Sequence, residues 1–190
     1  MSETTQPSFD EIERLMLTQR AIRIFDGSPV DDAIIERALN AATHAPSGGN
    51  RQPWRFIIVR DRETKRALGV IFDELGQMLY GDDAPERTPW EEVPVLIAVC
   101  SETDSSQNGA SIFPMVQNLL LALHAMGLGA VLTTRWRLRE DEVGPLLGLP
   151  NTMELNAILP VGWPARRYGR GRRVPVRDLT FGERFGQPWR

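Results

Sequence analysis

Residues 45–56, Ala45-Pro46-Ser47-Gly48-Gly49-Asn50-Arg51-Gln52-Pro53-Trp54-Arg55-Phe56, crowd turn formers, two amides and two arginines between two periodic segments. Upstream, Ile34, Ile35, Ala38, Leu39 and Ala42 recur at helical spacing behind Pro29 and Asp31, which predicts a helix capped at Asp31 and running to about Thr43. Downstream, Phe56-Ile57-Ile58-Val59 reads as a short buried strand bounded by Arg60 and Asp61. Pro46 ends the helix, and Gly48 and Gly49 let the main chain approach a ligand closely. Asn50 and Gln52 each donate and accept hydrogen bonds, which suits a heterocycle edge of alternating C=O and N–H groups. Gly, Ser and Pro also punctuate ordinary loops, so the stretch alone leaves both a ligand cradle and a plain connection open.

A second segment, Thr18-Gln19-Arg20-Ala21-Ile22-Arg23-Ile24-Phe25, precedes the same helix and carries two guanidinium groups. Arginine is a planar, permanently charged fork that matches phosphate oxygens. Of the 22 basic residues Lys65 alone is lysine, so an isolated arginine says little in this chain. Nearness to the amide-rich loop is what makes Arg20 and Arg23 candidates. The tail is denser still, with Arg166, Arg167, Arg170, Arg172 and Arg173 close together. One reading is a phosphate clamp completed from a distance by Arg172 and Arg173; solvated charge and a nucleic-acid patch are the rivals.

At 190 residues and 21.4 kDa the chain fits one domain, 1–190. A net charge of −3 and a pI near 5.5 argue against nucleic acid and anionic membranes as partners. No charged-then-apolar leader opens the sequence and no apolar run reaches membrane-spanning length, so cytoplasmic residence is expected. The single Cys100 closes the apolar run Val93–Cys100, which reads as a buried strand with an inert thiol. His44 and His124 form no metal-ligand cluster with it, and no hydrolase or nucleotide-phosphate motif occurs.

Further helices are predicted over Ser8–Gln19, Arg62–Met78, Asn108–Met126 and Glu140–Leu147, the third apolar on several sides. Residues 79–90 lose periodicity and read either as a solvated connection or as a mobile lid whose Tyr80 and Trp90 border an acceptor. Gly127-Leu128-Gly129-Ala130 lacks the third glycine of a dinucleotide fingerprint and closes a helix instead of opening one. A strand should follow over Ala130–Thr134, and another over Leu155–Leu159, ended by Pro160 and Gly162. The alternation fits a mixed sheet flanked by helices.

Arg20-Ala21-Ile22-Arg23-Ile24-Phe25, then Ala45-Pro46-Ser47 with Asn50, Gln52, Pro53 and Trp54, resemble the N-terminal signature of the FMN-dependent nitroreductase family. Gln117–Ala122, Gly127-Leu128-Gly129 and Pro160-Val161-Gly162-Trp163-Pro164 continue the resemblance in the family's order over most of the chain. It implies an α+β fold with a central mixed, mainly antiparallel sheet, and a homodimer with FMN at the subunit interface and a C-terminal extension embracing the partner subunit. It also implies NADH or NADPH as electron donor and ping-pong hydride transfer to a small acceptor such as a nitroaromatic or quinone. The chemistry would belong to the flavin, with no catalytic side chain. The implied cofactor-binding residues are Arg20, Ala21, Ile22, Arg23, Pro46, Ser47, Gly48, Asn50, Gln52, Leu132, Thr133, Gly162, Arg172 and Arg173. A non-catalytic flavin store or sensor is the alternative from another class. Reductive dehalogenation and flavin breakdown are alternatives within the enzyme class.

Overall fold

A computed structural model describes residues 8–103 and 108–190. Four strands, β1 (Trp54–Val59), β2 (Val95–Glu102), β3 (Gly129–Ala130) and β4 (Met153–Gly162), form one sheet in the order β1-β2-β4-β3, each pair antiparallel. A parallel bridge from Ala21 to Ala130 adds the one mixed element among the described residues. β2 and β4 are apolar without alternation because both faces of the sheet are covered. Side chains leave a strand on opposite faces in turn. Val95, Ile97 and Val99 therefore pack with α2 (Asp32–Ala42) and α4 (Asn108–Ala125), while Leu96, Ala98 and Cys100 pack with α3 (Arg62–Tyr80) and Val143 of α5 (Glu140–Leu146).

Helix ends follow their local chemistry. α1 (Phe9–Thr18) opens on a capping box, in which Ser8 and Glu11 satisfy each other's backbone N–H groups at 3.3 and 3.0 Å. Asp61 caps α3 by accepting from the Thr64 N–H at 2.8 Å. At the end of α4, Gly127 takes φ +86° and the Leu128 N–H reaches back to the Leu123 carbonyl at 2.9 Å, the closure expected of a C-terminal glycine.

Two expected strands differ from the observed ones. The strand expected over Ala130–Thr134 stops at Ala130; the chain leaves the sheet at Val131 and Leu132 and touches it again only where Thr133 pairs with Ile158. Pro160 does not end β4 but lies inside it, paired with Leu96. Ile158 exchanges both backbone bonds with Thr133, so its N–H points toward the β3 side, and that of residue 160 would too. There the neighbouring chain has bulged away, so a proline without a donor loses nothing. Between Val99 and Cys100 the β2–β4 register slips by one residue, and the extra Asn156 turns its amide onto Ser101 Oγ at 2.8 Å.

Candidate functional site

The arginine segment is a strip stitched into the fold by backbone bonds. The Ile22 N–H donates to the Ala130 carbonyl at 3.0 Å, the Asp26 N–H to Trp163 at 3.0 Å, and the Ala165 N–H to Ile24 at 3.1 Å. On its other side Thr88 donates its N–H to the Arg23 carbonyl at 2.9 Å and accepts from the Phe25 N–H at 2.9 Å. Ile22 and Phe25 are buried, while Arg20 and Arg23 are half-buried. Two glycines admit these apolar neighbours. A Cβ on Gly129 would lie 2.6 Å from Ile22 Cγ2, and one on Gly162 would lie 3.0 Å from both Phe25 and Pro94. Gly162 is therefore accounted for by packing alone.

The tail returns to this strip. Arg20 Nη1 donates to the Gly169 carbonyl at 2.8 Å. A Cβ on Gly171 would meet Arg173 Nη1 at 2.6 Å and Arg20 Nε at 3.5 Å, so both guanidinium groups flank one bare glycine. Arg172 is exposed and offers its carbonyl to Arg173 at 2.8 Å. Of the tail arginines singled out, Arg173 is the one brought to Arg20.

The loop over residues 45–53 is conformationally unusual. Gly49, Asn50 and Gln52 have φ of 58°, 54° and 50°. Asparagine tolerates this region, whereas a left-handed glutamine costs on the order of 1 kcal/mol or more. Ser47 Oγ holds the turn by accepting from the Gln52 N–H at 3.1 Å, and the Gly48 N–H donates to Ser111 Oγ at 3.2 Å. The Asn50 and Gln52 amides lie 3.3 Å apart at an exposed surface, beside exposed Pro46. The loop forms no part of the wall of the cavity beside α3.

A cavity of about 610 Å³ lies between α3, residues 83–90 and residues 131–135, within the usual size range for small-molecule sites. Arg23, Leu132 and Thr133 line it, as do Tyr80 and Trp90. Tyr80 stands at 53% exposure. Trp90 corrects the lid expectation: it is only 3% exposed, with its ring 4.6 Å from Phe72 and 5.0 Å from Trp136. It is a core residue forming a fixed wall. Its Nε1 is buried without a partner, which costs about 1–3 kcal/mol. Thr133 is also committed to the protein, since its hydroxyl donates to the Ile158 carbonyl and accepts from Trp136 Nε1, both at 2.5 Å.

Two further arginines, missed from the sequence, face this cavity. Arg87 pairs with Asp73 and lies 5.2 Å from the Trp90 ring centre; Arg135 lies 3.6 Å over Phe72 and 5.3 Å from Tyr80. Burial, then the charge of Arg135, lowers the Arg87 pKa to about 10. Burial also lowers that of Arg135, with Arg23 adding repulsion. A Cβ on Gly69 would meet Trp90 at 2.8 Å, and one on Gly76 would meet Arg135 Nη1 at 2.8 Å. Two glycines seven apart on one helix face were the available signal that large side chains lie across α3.

Elsewhere, burial and then Glu140 raise the Cys100 thiol to about 12, which leaves it unreactive. His124 Nε2 meets Thr18 Oγ1 at 2.9 Å and ties α4 to α1. Among the described residues no group of three His, Cys, Asp or Glu side chains converges as for a metal, and no helix is long and apolar enough to cross a membrane.

The sequence model of the Nitroreductase family matches residues 16–163, which takes in the arginine strip, the amide loop and the cavity but not the tail arginines. An iodotyrosine deiodinase from Thermotoga neapolitana is 34% identical over 169 residues, covering 80% of this chain and 88% of that protein. An NADH dehydrogenase from Thermus thermophilus is 28% identical over 205 residues, covering 94% and 98%. The crystal structure of an oxidised iodotyrosine deiodinase bound to FMN and 3-iodo-L-tyrosine is similar with a TM-score of 0.78 and 30% identity, over 87% of this chain and 96% of that one.

Proposed function

The chain belongs to the Nitroreductase family, and from that premise we propose that it is an FMN-dependent oxidoreductase, passing electrons from NADH or NADPH to a small oxidised acceptor. The observation that carries this reading is the convergence of Arg20 and Arg173 on Gly171, beside the strip that holds Arg23. Two planar cations around a residue without a side chain fit a phosphate, which needs several charge-assisted donors and close backbone approach. The exposed amides of Asn50 and Gln52, set by left-handed backbone, fit a heterocycle edge.

Bound FMN would supply the hydride chemistry. The chain's share is to bind and orient. Arg20 and Arg173 hold the phosphate charge; Ala21 and Ile22, fixed to Ala130, set the height of the strip. Leu132 offers an apolar wall, and the fixed ring of Trp90 keeps the cavity from collapsing. For a nitro acceptor the overall balance is NAD(P)H + H⁺ + ArNO₂ → NAD(P)⁺ + ArNO + H₂O, and a quinone would take the same two electrons and two protons to give a quinol. Because the amide loop does not line the cavity that includes Arg23, the reading includes a homodimer in which the loop of one copy meets the strip of the other. A cytoplasmic setting goes with the soluble nicotinamide donor.

The purified protein should be yellow, and anaerobic NADH or NADPH should bleach it within seconds. A coloured protein that stays oxidised with both donors would make it a flavin store or sensor instead. Arg20→Ala and Arg173→Ala should each weaken FMN binding about tenfold or more, and weaken phosphate-free riboflavin much less. Equal losses for both ligands would remove the clamp assignment. The similarity to the Thermotoga neapolitana deiodinase favours reductive dehalogenation as a second reading. Iodide release from 3-iodo-L-tyrosine with the reduced protein would establish it.

A further inference from the structure

We propose that the cavity beside α3 is an anion-selective acceptor subsite, which seats an aromatic carboxylate with its charged end against Arg135. The inference rests on the oxidoreductase reading for the word acceptor, and on the cavity alone for the anion. Arg23, Arg87 and Arg135 all face this one space. The acidic groups in its wall are Asp73 and Asp83, and Asp73 is taken up by Arg87. Arg135 has no carboxylate partner among the described residues, and its half-buried charge rests only on the faces of Phe72 and Tyr80. Repulsion runs from Arg23 to Arg135 and from Arg135 to Arg87.

With Asp73 paired to Arg87, Arg23 and Arg135 leave an excess of positive charge around a partly desolvated cavity, a cost that an entering anion reduces, and guanidinium forks match a carboxylate with two parallel bonds. Gly76 makes room for this arrangement, since any Cβ there would strike the Arg135 fork. The remaining wall suits an aromatic body: Tyr80, Leu132 and Pro160 are apolar surfaces, and Leu132 is accessible. Arg23 and Leu132 belong both to this wall and to the set through which the chain resembles a flavin binder, so a ring anchored at Arg135 extends toward the redox centre. The same guanidinium chemistry would also hold the phosphate of FMN itself, and the test separates the two sources.

The FMN-loaded protein is titrated calorimetrically with benzoate and with benzyl alcohol, and steady-state rates are compared for 4-nitrobenzoate and 4-nitrobenzyl alcohol. Benzoate should bind and benzyl alcohol should bind at least tenfold more weakly. Arg135→Gln should lower the ratio of kcat/KM for nitrobenzoate over nitrobenzyl alcohol about tenfold or more, with Arg135→Lys restoring part of it and FMN affinity retained in both. Benzoate failing to bind the wild-type protein overturns the subsite without any variant. A loss of FMN affinity in Arg135→Gln, or an equal fall for both acceptors, overturns it in favour of a phosphate or a purely structural role. Selective benzoate binding without reduction of either nitro compound would sustain the subsite and sink the proposed activity.

Discussion

Gly129 shows how much one hydrogen atom can govern here. Ile22 fills the place where its side chain would begin, and Ile22 lies between the two arginines of the strip. Gly129→Ala is expected to destabilise the protein by about 1–3 kcal/mol in urea or thermal unfolding, the range for overpacking a filled core. Displacing Ile22 should also weaken flavin retention, which a purely remote packing defect would leave intact. The same scale separates what was legible in the sequence from what was not. Arg20 and Arg23 could be marked because they flank a recognisable motif. Arg87 and Arg135 could not, since in an arginine-rich chain only their convergence across 47 intervening positions distinguishes them, and that distance in sequence carries no periodic trace. Trp90 looked like an exposed lid residue because it closes an aperiodic stretch, but Gly69 gives its ring a seat on α3.

At the scale of elements, helix periodicity predicted α1, α2, α3 and α5 to within two residues at each end, because caps and apolar stripes are local properties. The edge of the sheet was less legible. β3 is two residues long because the chain must leave it to form the cavity wall at Val131–Thr133, a tertiary demand. α1 has no buried residue and is tied to α4 through Thr18 and His124. Burial lowers the His124 pKa from its ordinary 6.5, so the folded state favours the neutral ring and the unfolded chain binds the proton more readily. Stability from this source is therefore intact above pH 6.5 and is lost as the pH falls below it. Urea midpoints of the wild type should fall over that interval more than those of His124→Gln, whose curve lacks this component.

Among the described residues, α1 and the tail both expose large apolar side chains. Phe9 and Met16 stand out from α1 at 73% and 58%, and Val176, Phe185 and Trp189 from the tail at 75%, 92% and 55%. An apolar surface on this scale marks a contact face. A homodimer that covers it is expected from light scattering, and removal of residues 174–190 should shift the protein toward monomer together with a loss of bound flavin. A truncated chain that stays fully dimeric would show that the tail does not contribute to assembly.

The stitched arginine strip also fixes an order of events in folding. Its partners are Thr88, Ala130, Trp163, Ala165 and Gly169, none of them near it in sequence. Closing such long loops is entropically costly, so these contacts are expected to form late. An emerging chain therefore has both arginines from the start, but the proposed phosphate grip waits for its final third. Colour would thus report completed folding, because a partly folded chain has no strip on which to retain the pigment.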